Sequence, residues 1–263
     1  MTPGAIVTRV LTGLIAGILV GLTGLGGGIL LLPILTSVLG VAPIVAVGSD
    51  AVVNCVTKIG AGLVHWRRGN VNWRLVAALT LGSVPGAFLG VIFLTLLRGS
   101  GVNNFLKIAI AFLLIIIPIA SMYVRPSPSP KAVVAAGRWG KDDYGVALIG
   151  FCVGILVGIT SIGSGTVTLM LLLVFYGYAP AVLVGTDVVH ALLLTGVTGL
   201  LQMKLGNVDY RLVGYILIGS IPGGLLGAYI ANRIVWVRLR SILFVVLIGF
   251  GVRMFWEGMA YGK

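Results

Sequence analysis

The sequence predicts an all-α polytopic membrane protein made of two inverted repeats, each a glycine-broken helical hairpin followed by three transmembrane helices. Composition, an internal duplication and matching glycine breaks carry that prediction. Of the 263 residues, 59% are hydrophobic and 9% are charged, with a mean hydropathy of +1.15. A soluble domain carries roughly 25% charged residues. Stretches such as 75–97, 105–123 and 241–250 hold few charges or none, and several are long enough to cross about 30 Å of hydrocarbon.

The duplication is direct. Gly17-Ile18-Leu19-Val20-Gly21-Leu22-Thr23 returns as Gly154-Ile155-Leu156-Val157-Gly158-Ile159-Thr160. With no gap, the same spacing carries Pro43 onto Pro180, Gly48-Ser49-Asp50 onto Gly185-Thr186-Asp187, and Gly69-Asn70-Val71 onto Gly206-Asn207-Val208. It also carries Gly82-Ser83-Val84-Pro85-Gly86 onto Gly219-Ser220-Ile221-Pro222-Gly223, and roughly 32 of about 74 aligned positions are identical, far beyond coincidence between unrelated apolar segments. Duplicated hydrophobic halves with glycine-broken segments at corresponding places point to a transporter whose site lies between the halves.

In order, the first repeat reads as an apolar segment over 6–22, a glycine break over 24–28, and a second apolar segment over 29–39. Three longer helices follow near 44–66, 73–97 and 102–123. The second repeat reads as 146–159, a break at 161–165, then 167–178, 182–203, 210–234 and 238–254. As one straight helix, 6–39 would be about 50 Å long, too long for one crossing. A hairpin bent at the glycines fits better, reaching into the membrane and returning. Each half then crosses an odd number of times, which inverts one half relative to the other. The 40 glycines, clustered as in Gly82, Gly86 and Gly90, allow close backbone approach where no hydrophobic force draws helices together.

The domains are therefore an N-terminal repeat (1–123), a linker (124–143) and a C-terminal repeat (144–263). Pro126-Ser127-Pro128-Ser129-Pro130 and the charged run 138–143 read as an extended, solvated connection. With the linker's side taken as one face, roughly ten basic residues lie there against seven opposite, which places the linker in the cytoplasm and both termini outside the inner membrane. The net charge of +12 belongs to short loops and lipid headgroups; nucleic-acid binding would need a basic soluble module. A signal peptide is excluded because the N-terminal pattern recurs internally at Gly154. Cys55 and Cys152 occupy non-equivalent repeat positions in apolar segments and read as buried structural thiols.

The breaks offer an anion site. A helix starting at Gly26, Gly27 and Gly28, after Gly24, presents free amides and the positive end of its dipole. The second copy, Ser161, Gly163, Ser164 and Gly165, adds hydroxyl donors. The other reading is that the glycines only permit a tight turn and close packing. Asp50 and Asp187 sit at matched places inside apolar helices, where each either carries a proton or pins a glycine break by accepting hydrogen bonds from it. Asp50, Asn54 and Lys58 form a polar stripe at i, i+4 and i+8; the second copy has Asp187, Ala191 and Thr195, with His190 one turn beyond the aspartate. Lys58, the only basic residue well inside an expected span, either selects an anion beside Asn54 and Thr195, snorkels to the interface, or pairs with Asp50. His190 either passes a proton to Asp187 or is a packed neutral residue.

The glycine-broken Gly21-Leu22-Thr23-Gly24-Leu25-Gly26-Gly27-Gly28, Ala42-Pro43, Gly48-Ser49-Asp50 and Gly69-Asn70-Val71 resemble the TauE/SafE family, the sulfite exporters or 4-toluene sulfonate uptake permeases. The resemblance spans nearly the whole chain and both repeats. It implies a carrier of small sulfur-containing anions, sulfite or organosulfonates, in either direction; the repeat and the buried polar residues add the expectation of alternating access with proton coupling. Nothing in the residues calls for a metal, a cofactor or a catalytic triad, so the protein is not expected to be an enzyme. An anion channel and a membrane-embedded enzyme are the competing classes.

Overall fold

The computed structural model describes residues 3–23, 27–97, 101–123, 141–175, 180–231 and 236–260. All regular structure among them is helical. In chain order the helices are α1 (Pro3–Thr23), α2 (Gly27–Pro33), α3 (Pro43–Arg67), α4 (Trp73–Leu96), α5 (Val102–Tyr123), α6 (Lys141–Thr160), α7 (Thr166–Phe175), α8 (Pro180–Lys204), α9 (Tyr210–Ala231) and α10 (Trp236–Ala260). Six stretches, Gly4–Leu22, Pro43–Arg67, Trp73–Leu96, Val102–Tyr123, Asp143–Thr160 and Ala181–Lys204, are long and apolar enough to cross a membrane. This is a multi-pass membrane protein. Large apolar side chains on its outer surface, such as Phe112, Leu148 and Ile218, suit a hydrocarbon surrounding and would be unfavourable in water.

Each expected hairpin is present as a pair of separate helices in contact. The α2 arm touches α1, and the α7 arm touches α6. The first arm is not one regular helix, because Pro33 lacks an amide donor. Ile34–Val38 widens into a π-turn closed by Leu39 N donating to the Ile34 carbonyl at 3.0 Å. The arm is deeply set: Leu32 and Leu35 are fully buried in the main apolar cluster with Leu106, Ile110 and Leu114 of α5.

The hairpins do not pack chiefly within their own halves. Instead α1 lies along α9, and α6 along α4. Small residues make both contacts possible. A Cβ on Gly13 or Gly17 would collide with the backbone of Ile216 or Ser220; one on Gly150 or Gly154 would collide with Leu79 or Ser83. From the other side, Gly82 and Gly86 face Ala147 and Phe151, just as Gly219 and Gly223 face Val10 and Leu14. These four repeated pairs of glycines are thus places where backbones touch.

A second pair of equivalent contacts explains two more motifs. Gly69 and Gly206 end α3 and α8 in the left-handed region, at φ 69° and 73°, the conformation glycine adopts at low cost. The carbonyl of the following Asn70 then lies against Gly185, and that of Asn207 against Gly48. Two residues on, the Asn72 amide donates to Thr186 Oγ1 at 3.0 Å and the Asp209 amide to Ser49 Oγ at 3.1 Å. Asn72 and Asp209 also cap α4 and α9 with their side chains. Gly-Ser/Thr-Asp and Gly-Asn-Val are therefore two sides of one interlock, made twice between the halves.

Two expectations change. Residues 141–143, read as linker, begin α6, and Asp143 is buried in a two-pronged ion pair with Arg74 at 2.6 and 2.9 Å. Cys152 is exposed on the outside of α6 and Cys55 is half-buried, rather than both being buried. The proline-rich part of the linker, 126–130, lies outside the described residues.

Candidate functional site

The polar stripe of α3 faces the break between α6 and α7. Asp50 is fully buried, and its Oδ2 accepts from Asn54 Nδ2 and from Ser161 Oγ, both at 2.8 Å. Ser161 comes from the other half. Its backbone is left-handed, at φ 58°, a conformation costing a non-glycine residue roughly 1–2 kcal/mol. The bond to Asp50 and the Ser161 amide's bond to the Val157 carbonyl at 2.7 Å hold it there. Gly163 follows at φ 111°, a region open essentially to glycine.

The start of α2 closes the other side of Asp50. A methyl on Gly28 would stand 2.7 Å from the Ser161 carbonyl oxygen and 2.8 Å from Asp50 Oδ2, and one on Gly27 would strike Asn54 Oδ1. These two glycines let α2 dock against the carboxylate and its donors. Gly24 and Gly26 lie outside the described residues. In the second break, three amides have local acceptors: Ser161 as above, Ile162 on Thr160 Oγ1 at 3.2 Å, and Gly165 on the Gly163 carbonyl at 2.7 Å. The cradle expected there is thus partly occupied by its own turn.

Lys58 neither snorkels to the interface nor pairs with Asp50. Its Nζ donates to the Ser164 carbonyl at 2.9 Å and to Ser164 Oγ at 3.2 Å. It therefore reaches across to the opposite half, and makes no ion pair with a described carboxylate within 4.0 Å. It interacts electrostatically with both Asp187 and Asp50. The result is a half-buried ammonium on neutral oxygens, flanked by two buried carboxylates.

The α8 side differs from α3. Asp187 is buried, and no described donor reaches its Oδ1. His190 is fully buried; its Nε2 lies 2.9 Å from Ser83 Oγ, and its Nδ1 has no described partner. Thr195, at the place equivalent to Lys58, turns its hydroxyl to the Ala191 carbonyl of its own helix at 2.7 Å. Asn54, Ser161, Gly27 and Gly28 thus meet around Asp50, Lys58 meets Ser164, and Thr195 is bonded within α8. Ser83 and the Arg74–Asp143 pair were not anticipated. Ser83 stood in a repeated motif one residue after a packing glycine, which was the available signal.

A membrane-depth cation on replaceable neutral oxygens is chemistry suited to an anion, since an arriving oxyanion can take over as its partner. The comparisons fit such a protein. A sequence model of the sulfite exporter TauE/SafE family matches residues 10–254. The chain is 36% identical over 256 residues to the probable membrane transporter protein YjnA of Bacillus subtilis (strain 168), covering 94% of this chain and 99% of that protein. It is 28% identical over 273 residues to the probable membrane transporter protein YunE of the same organism, covering 96% and 98%. The probable membrane transporter protein MJ0441 of Methanocaldococcus jannaschii is 29% identical over 254 residues, covering 90% and 91%. No solved structure is a significant match. With the family matched from the first helix to the last, this chain belongs to the sulfite exporter TauE/SafE family of membrane transporters.

Proposed function

We propose that the protein is a secondary transporter of small sulfur-containing anions, sulfite or organosulfonates, across the cytoplasmic membrane. It works by alternating access between two inverted repeats and is coupled to protons. The observation that carries this reading is Lys58 bonded to Ser164 of the opposite half rather than to a carboxylate. An anion entering between the halves replaces the Ser164 carbonyl and hydroxyl around the ammonium, with the start of α7 adding amide donors. Because Lys58 and Ser164 belong to different halves, binding changes a contact between the two bodies that must move. The family's own description, sulfite exporter, supports the sulfur-anion class.

Reconstituted protein tests this directly. Proteoliposomes should take up labelled sulfite, methanesulfonate, 4-toluenesulfonate or sulfoacetate with saturation, and preloaded anion should accelerate uptake by counterflow. Transport of none of the four contradicts the substrate class. Steady ionic current without counterflow would mark a channel instead.

A further inference from the structure

The two aspartates are equivalent in the repeat but not in their surroundings. Asp50 has two donors on Oδ2, Asn54 and Ser161. At the places equivalent to those donors, Asp187 has Ala191 and Gly24, neither of which carries a side-chain hydrogen-bond donor. Oδ1 lacks a described partner in both aspartates, so the difference is at Oδ2: two side chains donate to that of Asp50, whereas no described side chain donates to Asp187, which is 4% exposed. A buried carboxylate without donors is costly when charged, and a second copy of Asp50's cage would have removed that cost. The asymmetry therefore marks the carboxylate that changes state.

Charge supplies the reason for the change. Lys58 contributes one positive charge; Asp50 and Asp187, both ionised, contribute two negative ones. Bringing a monovalent anion to Lys58 doubles the negative excess in a site of low polarity, and adding one proton restores it. The groups around Asp187 leave few other candidates. The helix α8 packs against α3, α4, α6 and α7. Of these, α3 presents Asp50, Cys55, Lys58, His65 and, at its exposed end, Arg67, and α7 has no titratable residue. Arg74 of α4 is engaged with Asp143 of α6, while Tyr144 and Cys152 of α6 are exposed; Lys141 and Asp142 stand at that helix's start. On α8 itself, His190 is bonded to Ser83 and Lys204 stands at the exposed far end. Lys58 is the charge that acts on Asp187.

We propose that Asp187 is the proton-binding residue of this transporter, taking up one proton with each monovalent anion, while Asp50 remains a fixed part of the frame. The proposal rests on the anion-transport reading above and assigns its coupling. Anion and proton then favour each other's binding reciprocally, and a monovalent sulfonate crosses without net charge.

The test uses whichever monovalent anion the wild type transports: methanesulfonate, 4-toluenesulfonate, or sulfite held acidic enough to be bisulfite. In weakly buffered detergent solution, wild type should take up about one proton per bound anion, a ratio read with a pH dye beside a binding isotherm and expected from the charge balance. In proteoliposomes, an inward proton gradient should drive accumulation that a potassium-valinomycin potential does not alter. Asp187→Asn should lose the proton uptake and the gradient drive, and its anion affinity should no longer strengthen as pH falls; Asp187→Glu should restore all three. Proton uptake or gradient drive persisting in Asp187→Asn overturns the proposal while leaving anion transport intact. So does wild-type flux that carries net charge. Where Asp187→Asn fails to fold, the wild-type proton count and Asp187→Glu decide. Absence of flux for all four anions overturns the underlying transport reading itself, an outcome distinct from uncoupled flux.

Discussion

Single residues decide which polar groups are frame and which are free to change partners. Asp50, Asn54 and Ser161 form a buried hydrogen-bonded unit, so Ser161→Ala should lower stability by about 1.5–3 kcal/mol, the usual worth of a hydrogen bond to a charged group. Unfolding in mixed micelles measures it, and a cycle with Asp50→Asn should recover most of that energy as coupling. An additive pair would mean that the bond contributes nothing. The stripe at positions 50, 54 and 58 was legible because helical period alone puts those residues on one face. Its targets were not: Ser161 and Ser164 are more than one hundred residues away in sequence, and no local pattern encodes a partner across the halves. The same holds for Ser83 with His190.

Helices follow the sequence closely wherever apolar runs have sharp ends. The helix expected at 102–123 is α5 itself, and Pro43 and the Arg67-Arg68-Gly69 turn bound α3 within a residue of expectation. The start of α6 was missed because Asp143 reads as solvated until its non-local partner Arg74 is known. The glycines were legible as small residues but not by role, since close packing and ligand approach demand the same absent side chain. Packing now gives a test. Gly154→Ala places a methyl 2.7 Å from Ser83 Cα and should cost about 1–3 kcal/mol. Gly60→Ala, with nothing within 4 Å, should be neutral or stabilise by up to about 1 kcal/mol. Thermal unfolding in detergent compares them; equal effects would contradict the backbone-contact account of the repeated glycines.

Across the whole molecule, the repeated contacts tie each hairpin to the other half, α1 to α9 and α6 to α4, so the halves move only by shifting those seams or the interlocks around Gly48 and Gly185. Inversion makes a topological prediction. Arg67 and Lys204 occupy equivalent, exposed helix ends, and Arg67→Cys and Lys204→Cys should label from opposite faces in a background with Cys55→Ser and Cys152→Ser. Impermeant-thiol labelling of right-side-out vesicles should modify the Lys204 variant alone; labelling of both from one face contradicts inverted halves. The central claim is that Lys58, held by Ser164 until an anion arrives, is the charge on which transport depends. Uptake of labelled sulfite into proteoliposomes, wild type against Lys58→Ala with and without an imposed proton gradient, measures it most directly. The account predicts saturable, gradient-driven uptake in wild type, reduced at least tenfold in the variant, corresponding to about 1.4 kcal/mol or more of lost binding. Uptake by correctly folded Lys58→Ala at the wild-type rate and affinity would contradict it.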